Sequence, residues 1–140
     1  AQSRGRPMYT VASIMKSPVV SIEANKSVAE AIHQMQEKGI SSLMVTPATP
    51  GEPEGMMTKR DIISKVVSHG KDPKTLNVQD VMTTSLITVP PDYPLADAAR
   101  LMSEKGIRRV LVRQGGKIIG IVSDTDIFRA VEESGWGPNF

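Results

Sequence analysis

Two stretches of the chain run through apolar and polar positions in the same order, and that order predicts its elements. In the first, Val19-Val20-Ser21-Ile22 reads as a short strand. Val28, Ala31, Ile32 and Met35 then recur at helical spacing behind Ser27, a good N-cap, and Gly39 stands where a helix would stop. The spacing predicts an amphipathic helix over 27–38. Leu43-Met44-Val45 and Met56-Met57 follow as buried hairpin strands, and 60–68 as a second helix. In the second stretch Leu86-Ile87-Thr88-Val89 is the strand, and Leu95, Ala98, Ala99 and Met102 form the helix face, with Pro94 near the first helical position and Gly106 past the end. Val110-Leu111-Val112 and Ile118 to Val122 are its hairpin, and 124–133 its closing helix.

The two stretches are one unit written twice. Met15 and Met82 lie 67 positions apart, and at that spacing Ala31 meets Ala98, Met35 meets Met102, Lys38 meets Lys105, Gly39 meets Gly106 and Ile40 meets Ile107. The spacing falls to 65 where Gly55-Met56-Met57-Thr58-Lys59-Arg60-Asp61-Ile62 meets Gly120-Ile121-Val122-Ser123-Asp124-Thr125-Asp126-Ile127. The two extra residues belong to the loop 46–54, whose prolines mark an exposed connection. Its counterpart is the tight turn signal Gln114-Gly115-Gly116-Lys117. The expected division is a tail at 1–10, a first unit at 11–68, a linker at 69–77 around Pro73, a second unit at 78–134 and a tail at 135–140. The expected fold class is α/β (α+β). Two β-α-β-β-α units, each too small to be stable alone, should pack through their sheets as a pseudo-twofold pair.

Composition narrows the function. The 140 residues are 39% hydrophobic, enough for a core, and 17 basic residues against 15 acidic leave +2 with no basic face, so no nucleic-acid partner is expected. With no cysteine there are no disulfides, no thiol catalysis and no thiolate zinc site. This fits an intracellular, cytoplasmic protein, or an organellar one if a targeting segment was removed ahead of Ala1. His33 and His69 alone could not make a metal site, so none is expected. No apolar run is long enough to cross a bilayer, so membrane insertion is not expected. Nucleophile-elbow, P-loop and dinucleotide glycine patterns are all missing from the sequence, and the expectation is that the chain is not an enzyme. Met15, Met35, Met82 and Met102 fall in register with apolar positions and read as core rather than metal ligands. Trp136, beyond the repeat, is a candidate for stacking on an adenine or for docking a neighbouring subunit.

A family resemblance rests on Val81-Met82, Ile87-Thr88-Val89, Met102-Ser103-Glu104-Lys105-Gly106-Ile107, Arg108-Arg109-Val110-Leu111-Val112 and the Gly120 to Ile127 segment, in that order and duplicated. Over residues 11–134 the chain resembles a cystathionine-β-synthase-type (CBS) domain pair, or Bateman module. It departs from the pattern in Ser13, where the second unit has Asp80, and in Ser41-Ser42, where the second unit has Arg108-Arg109. In similar proteins the Gly-apolar-apolar-Ser/Thr-x-x-Asp segment lines a cleft between the two sheets and holds the ribose of AMP, ADP or ATP. The resemblance thus implies an adenosine nucleotide ligand, AMP foremost, no covalent cofactor, and binding residues Thr58 and Asp61 in one cleft and Ser123 and Asp126 in the other. It also implies that Arg108 or Arg109 reaches the phosphate, without choosing between them, and that the clefts are unequal because Ser41 and Ser42 carry no charge. A plainer reading stands beside it: Ser/Thr-x-x-Asp ahead of a helix is also a capping box. The function implied is that of an energy-sensing regulatory module acting on an unidentified partner. It would associate as a homodimer, a disk of four units, through Ile62, Ile63, Val66, Ile127, Phe128 and Val131. The alternatives are a dimerisation module without ligand, or a regulatory fragment of a larger transporter, channel or enzyme.

Overall fold

The computed structural model describes residues 9–134. Trp136 and the segment 135–140 lie outside the described residues. The chain forms two compact units, one of 20–86 and one in which 9–19 join 87–134.

In the first unit β1 (Ser21–Glu23) runs parallel to β2 (Ser42–Thr46), which pairs antiparallel with β3 (Gly55–Thr58). Between β1 and β2 lies α2 (Val28–Lys38). Its start is fixed by Ser27, whose hydroxyl accepts from the Glu30 amide, and its end by Gly39 in the left-handed region at φ 64°. That conformation favours a residue without a Cβ. Val28, Ala31 and Met35 form the buried stripe and pack with Leu43, Val45 and Met57. After β3 the chain enters α3 (Lys59–Ile62), which continues as a π-helical turn over Ile63–Val67.

The second unit repeats the plan. β4 (Thr88–Val89) is parallel to β5 (Arg109–Gln114), β5 is antiparallel to β6 (Lys117–Ser123), α4 (Leu95–Lys105) lies between β4 and β5, and α5 (Asp124–Ser134) follows β6. Pro94 is the N-cap of α4 rather than its first helical residue. The β5–β6 turn places Gly115 and Gly116 at φ 60° and 79°, as the twist of a two-residue hairpin demands.

Packing departs from the repeat in one respect. The segment leading each sequence unit leaves its own unit and completes the other. Val78 and Val81, which precede the second hairpin, are buried with Val28 and Val45, and the linker residue Leu76 packs beside them. At the opposite end α1 (Val11–Ile14) places Val11 in the core of β5, β6 and α5, held by Val11 N–H to Tyr93 O (2.9 Å) and Leu95 N–H to Tyr9 O (2.9 Å). Residues 9 and 10 are therefore structured rather than tail. Periodicity could not show this, because the exchange preserves the burial pattern of each segment while changing which core it enters.

Two glycines make the exchange possible. A Cβ on Gly120 would collide with the Met15 sulfur and lie 2.8 Å from its Cγ and 3.1 Å from its Cβ. A Cβ on Gly55 would lie 2.6 Å from the Met82 sulfur and 3.0 Å from the Thr83 carbonyl oxygen. Met15 and Met82 are the repeat-equivalent residues of the exchanged segments. One expectation about the surface is corrected: Ile62 and Val66 are core residues of their unit, and Ile127 and Val131 are half-buried. Ile63, Val67 and Phe128 are the ones that stand exposed.

Overpacking of this kind costs about 1–3 kcal/mol. Gly120→Ala should therefore lower the urea midpoint at unchanged m-value, and adding Met15→Ala should recover part of the loss. A strictly additive double mutant would show that the methionine contact is not the cause.

Candidate functional site

Each hairpin ends at a strand–helix junction carrying the Ser/Thr-x-x-Asp sequence, and both junctions form reciprocal caps. Ser123 N–H donates to Asp126 Oδ2 (2.9 Å) while Asp126 N–H donates to Ser123 Oγ (3.1 Å). Thr58 N–H and Thr58 Oγ1 donate to Asp61 Oδ2 (2.9 and 3.1 Å), and Asp61 N–H donates to Thr58 Oγ1 (3.1 Å). The capping role that the spacing allowed is thus present at both sites. It engages one carboxylate oxygen of each aspartate and leaves the other, Oδ1, to face different groups.

Those groups differ between the sites. Asp126 is the one buried polar or charged residue among the described residues. Its Oδ1 lies 3.4 Å from Lys16 Nζ and 3.4 Å from a terminal guanidinium nitrogen of Arg129. Asp61 is less enclosed, and its Oδ1 lies 3.3 Å from Lys65 Nζ and accepts from Thr83 Oγ1 at 3.5 Å. A carboxylate removed from water needs such partners, because burying it uncompensated costs several kcal/mol.

The hairpin register decides which neighbour each site has. Arg109 is paired with Ser123, and Leu111 with Ile121, so these four side chains share one face of the sheet. Val110, Val112 and Val122 point the other way into the core. Arg108 precedes the strand, is exposed, and lends its carbonyl to the Asp124 amide (2.9 Å). Of the two arginines the sequence left open, Arg109 is therefore the one beside the Ser123–Asp126 junction. In the first unit Ser42 is paired with Thr58 and Met44 with Met56, and Ser42 occupies the place of Arg109. Lys59 and Arg60 are exposed first-turn residues of α3.

Sequence reasoning missed four polar side chains at these sites. Lys65 and Arg129 lie one helical turn beyond each aspartate, an ordinary pairing distance. Lys16 and Thr83 come from the exchanged segments. They are repeat equivalents, and the offset that aligns Met15 with Met82 aligns them too, so the signal was present but its spatial meaning was not. Among the described residues no three His, Asp or Glu side chains are grouped to hold a metal, and no helix is long and apolar enough to cross a membrane.

Comparison with known proteins supports the reading of the repeat. The family model described as CBS domain matches twice, at residues 11–68 and 78–133. An uncharacterised protein of Methanopyrus kandleri is 36% identical over 121 residues, covering 86% of this chain and 61% of that protein's own length. A hexameric CBS-CP12 protein from bloom-forming cyanobacteria superposes with a TM-score of 0.82 at 34% identity, covering 94% of this chain and 74% of that one. A CBS domain pair solved in complex with 5'-methylthioadenosine and S-adenosyl-L-methionine superposes with a TM-score of 0.77 at 26% identity, covering 91% of this chain and 99% of that one.

Loss of a side-chain cap costs about 0.5–2 kcal/mol. Asp126→Ala and Asp61→Ala should each destabilise the fold by that order in urea unfolding. Asp126→Ala should cost less once Lys16→Ala is also present, because two cations would no longer face an empty position.

Proposed function

The chain belongs to the CBS-domain family, and on that premise we propose that it is a regulatory sensor module that binds an adenosine nucleotide, AMP foremost with ADP and ATP as competitors, without transforming it. The observation that carries this reading is the juxtaposition on one sheet face of Arg109, Ser123 and the buried Asp126. Oδ2 of Asp126 is committed to the cap, while Oδ1 is paired with the largely exposed cationic side chains of Lys16 and Arg129. A fixed carboxylate oxygen of this kind accepts hydrogen bonds from a ribose diol, as acidic residues do in dinucleotide-binding folds. A guanidinium on the neighbouring strand, at the residue paired with Ser123, answers phosphate with bidentate geometry. The solved pair holding 5'-methylthioadenosine and S-adenosyl-L-methionine supports recognition of an adenosine group on this fold.

The second site, Thr58 and Asp61, has the same carboxylate but Ser42 in place of the arginine. It takes the same nucleoside with weaker hold on phosphate. Ligand binding acts on a partner protein by favouring one arrangement of the module over another, which requires a difference in affinity between the two. Self-association is part of this reading. Ile63 (53% exposed) and Val67 (63%) on the π-helical turn, and Phe128 (64%) on α5, are apolar side chains at the surface, and a homodimer that covers them is the proposed assembly.

Ligand bound only by the native state stabilises it by about 2.7 kcal/mol at a hundredfold excess over its dissociation constant. AMP should therefore raise the melting midpoint by several degrees, and Arg109→Ala should weaken AMP about tenfold while sparing 5'-methylthioadenosine. No shift with AMP, ADP, ATP or S-adenosylmethionine would favour a dimerisation module without ligand. Light scattering coupled to gel filtration should report a dimer for the wild type and a larger monomer fraction for Phe128→Ser.

A further inference from the structure

The two sites receive repeat-equivalent residues of different chemistry from the exchanged segments. Lys16 is held against β6 by a reciprocal backbone pair, its N–H to Ile121 O (2.9 Å) and Ile121 N–H to its carbonyl (3.1 Å), and its ammonium reaches Asp126 Oδ1. Thr83 is held against β3 in the same way, through Met56 (2.8 and 2.9 Å), and reaches Asp61 Oδ1 with a hydroxyl. The backbone positions are equivalent and the side chains are a cation and a neutral group.

We propose that Lys16 is the specificity-determining residue of the Asp126 site, selecting a phosphorylated adenosine ligand over a neutral or sulfonium-bearing one, and that Thr83 leaves the Asp61 site without that selection. This rests on the adenosine-ligand reading above. In the free protein Lys16 occupies the carboxylate oxygen that the ribose needs, so it could in principle block the site instead. Magnitudes decide between the two effects. The Lys16 side chain is 67% exposed, and an ion pair with so exposed a partner contributes less than a hydrogen bond to a buried charged group. Exchanging carboxylate for phosphate is therefore favourable once the ribose arrives. Asp126 is not left uncompensated by the exchange, because Arg129 remains beside the same oxygen at 3.4 Å. The two backbone bonds to Ile121 hold the Lys16 Cα in place while its flexible stem turns, so the move needs no rearrangement of the segment. A neutral nucleoside supplies no new partner for the displaced ammonium and a sulfonium repels it, which is the source of the selection.

Calorimetric titration of the full chain with AMP and with 5'-methylthioadenosine tests this on the wild type, Lys16→Thr, Lys16→Arg and Thr83→Lys. Lys16→Thr should weaken the tighter AMP site about tenfold and leave 5'-methylthioadenosine within about twofold, and Lys16→Arg should keep AMP near the wild-type value. Thr83→Lys should tighten the weaker AMP site, a gain that a purely structural role for this position would not produce. Unchanged AMP binding in Lys16→Thr, or equal weakening of both ligands, would overturn the inference while leaving the adenosine reading standing. A wild type that binds neither ligand would overturn both.

Discussion

The structure turns on a carboxylate taken out of water at the point where a strand becomes a helix. Asp126 satisfies the orphan amide of Ser123 and draws two cations to its second oxygen, and in doing so fixes the exit of β6, the start of α5 and the position of the segment carrying Lys16. None of these would be set so firmly by apolar packing, which tolerates sliding. A buried charge does not tolerate it, because a lost partner costs more than the pair contributes. The same capping device at Thr58–Asp61 is more open, with Lys65 where the other site has Arg129 and Ser42 where it has Arg109. Two copies of one backbone thereby arrive at different electrostatics.

The fold was largely legible in the sequence because its determinants are local. Ser27 and Glu30, Gly39 and Gly106, the apolar stripe of α2 and the Gly115-Gly116 turn each act on residues within one or two turns, and each forms the element its pattern predicts. The strands that proved longer than their apolar cores, such as Arg109–Gln114, are extended by pairing rather than by hydrophobicity.

The candidate site was legible only in part. Thr58, Asp61, Ser123 and Asp126 lie in contiguous motifs, and their pairing follows from the capping spacing. The choice of Arg109 over Arg108 needed the hairpin register, since a shift of one residue reverses the face. Lys16 and Thr83 needed the tertiary exchange itself. The repeat alignment could show that they are equivalent but not that each faces the aspartate of the other sequence repeat. Ile62 and Val66 were misplaced as surface residues for a related reason: two apolar stripes share that helix, and periodicity alone does not say which one faces inward.

The exchange of leading segments makes the chain a nested object. Residues 20–86 form a continuous piece, and the other unit is discontinuous, its first part made before that piece and the rest after it. During synthesis the inner piece is complete once Leu86 has emerged, whereas Val11 waits for β5, β6 and α5 before it has a core to enter. The contacts that place Lys16 beside Asp126 thus join the two ends of the described chain. Every residue of the Asp61 site lies within 20–86, whereas the more strongly charged site needs residues from both sides of that piece.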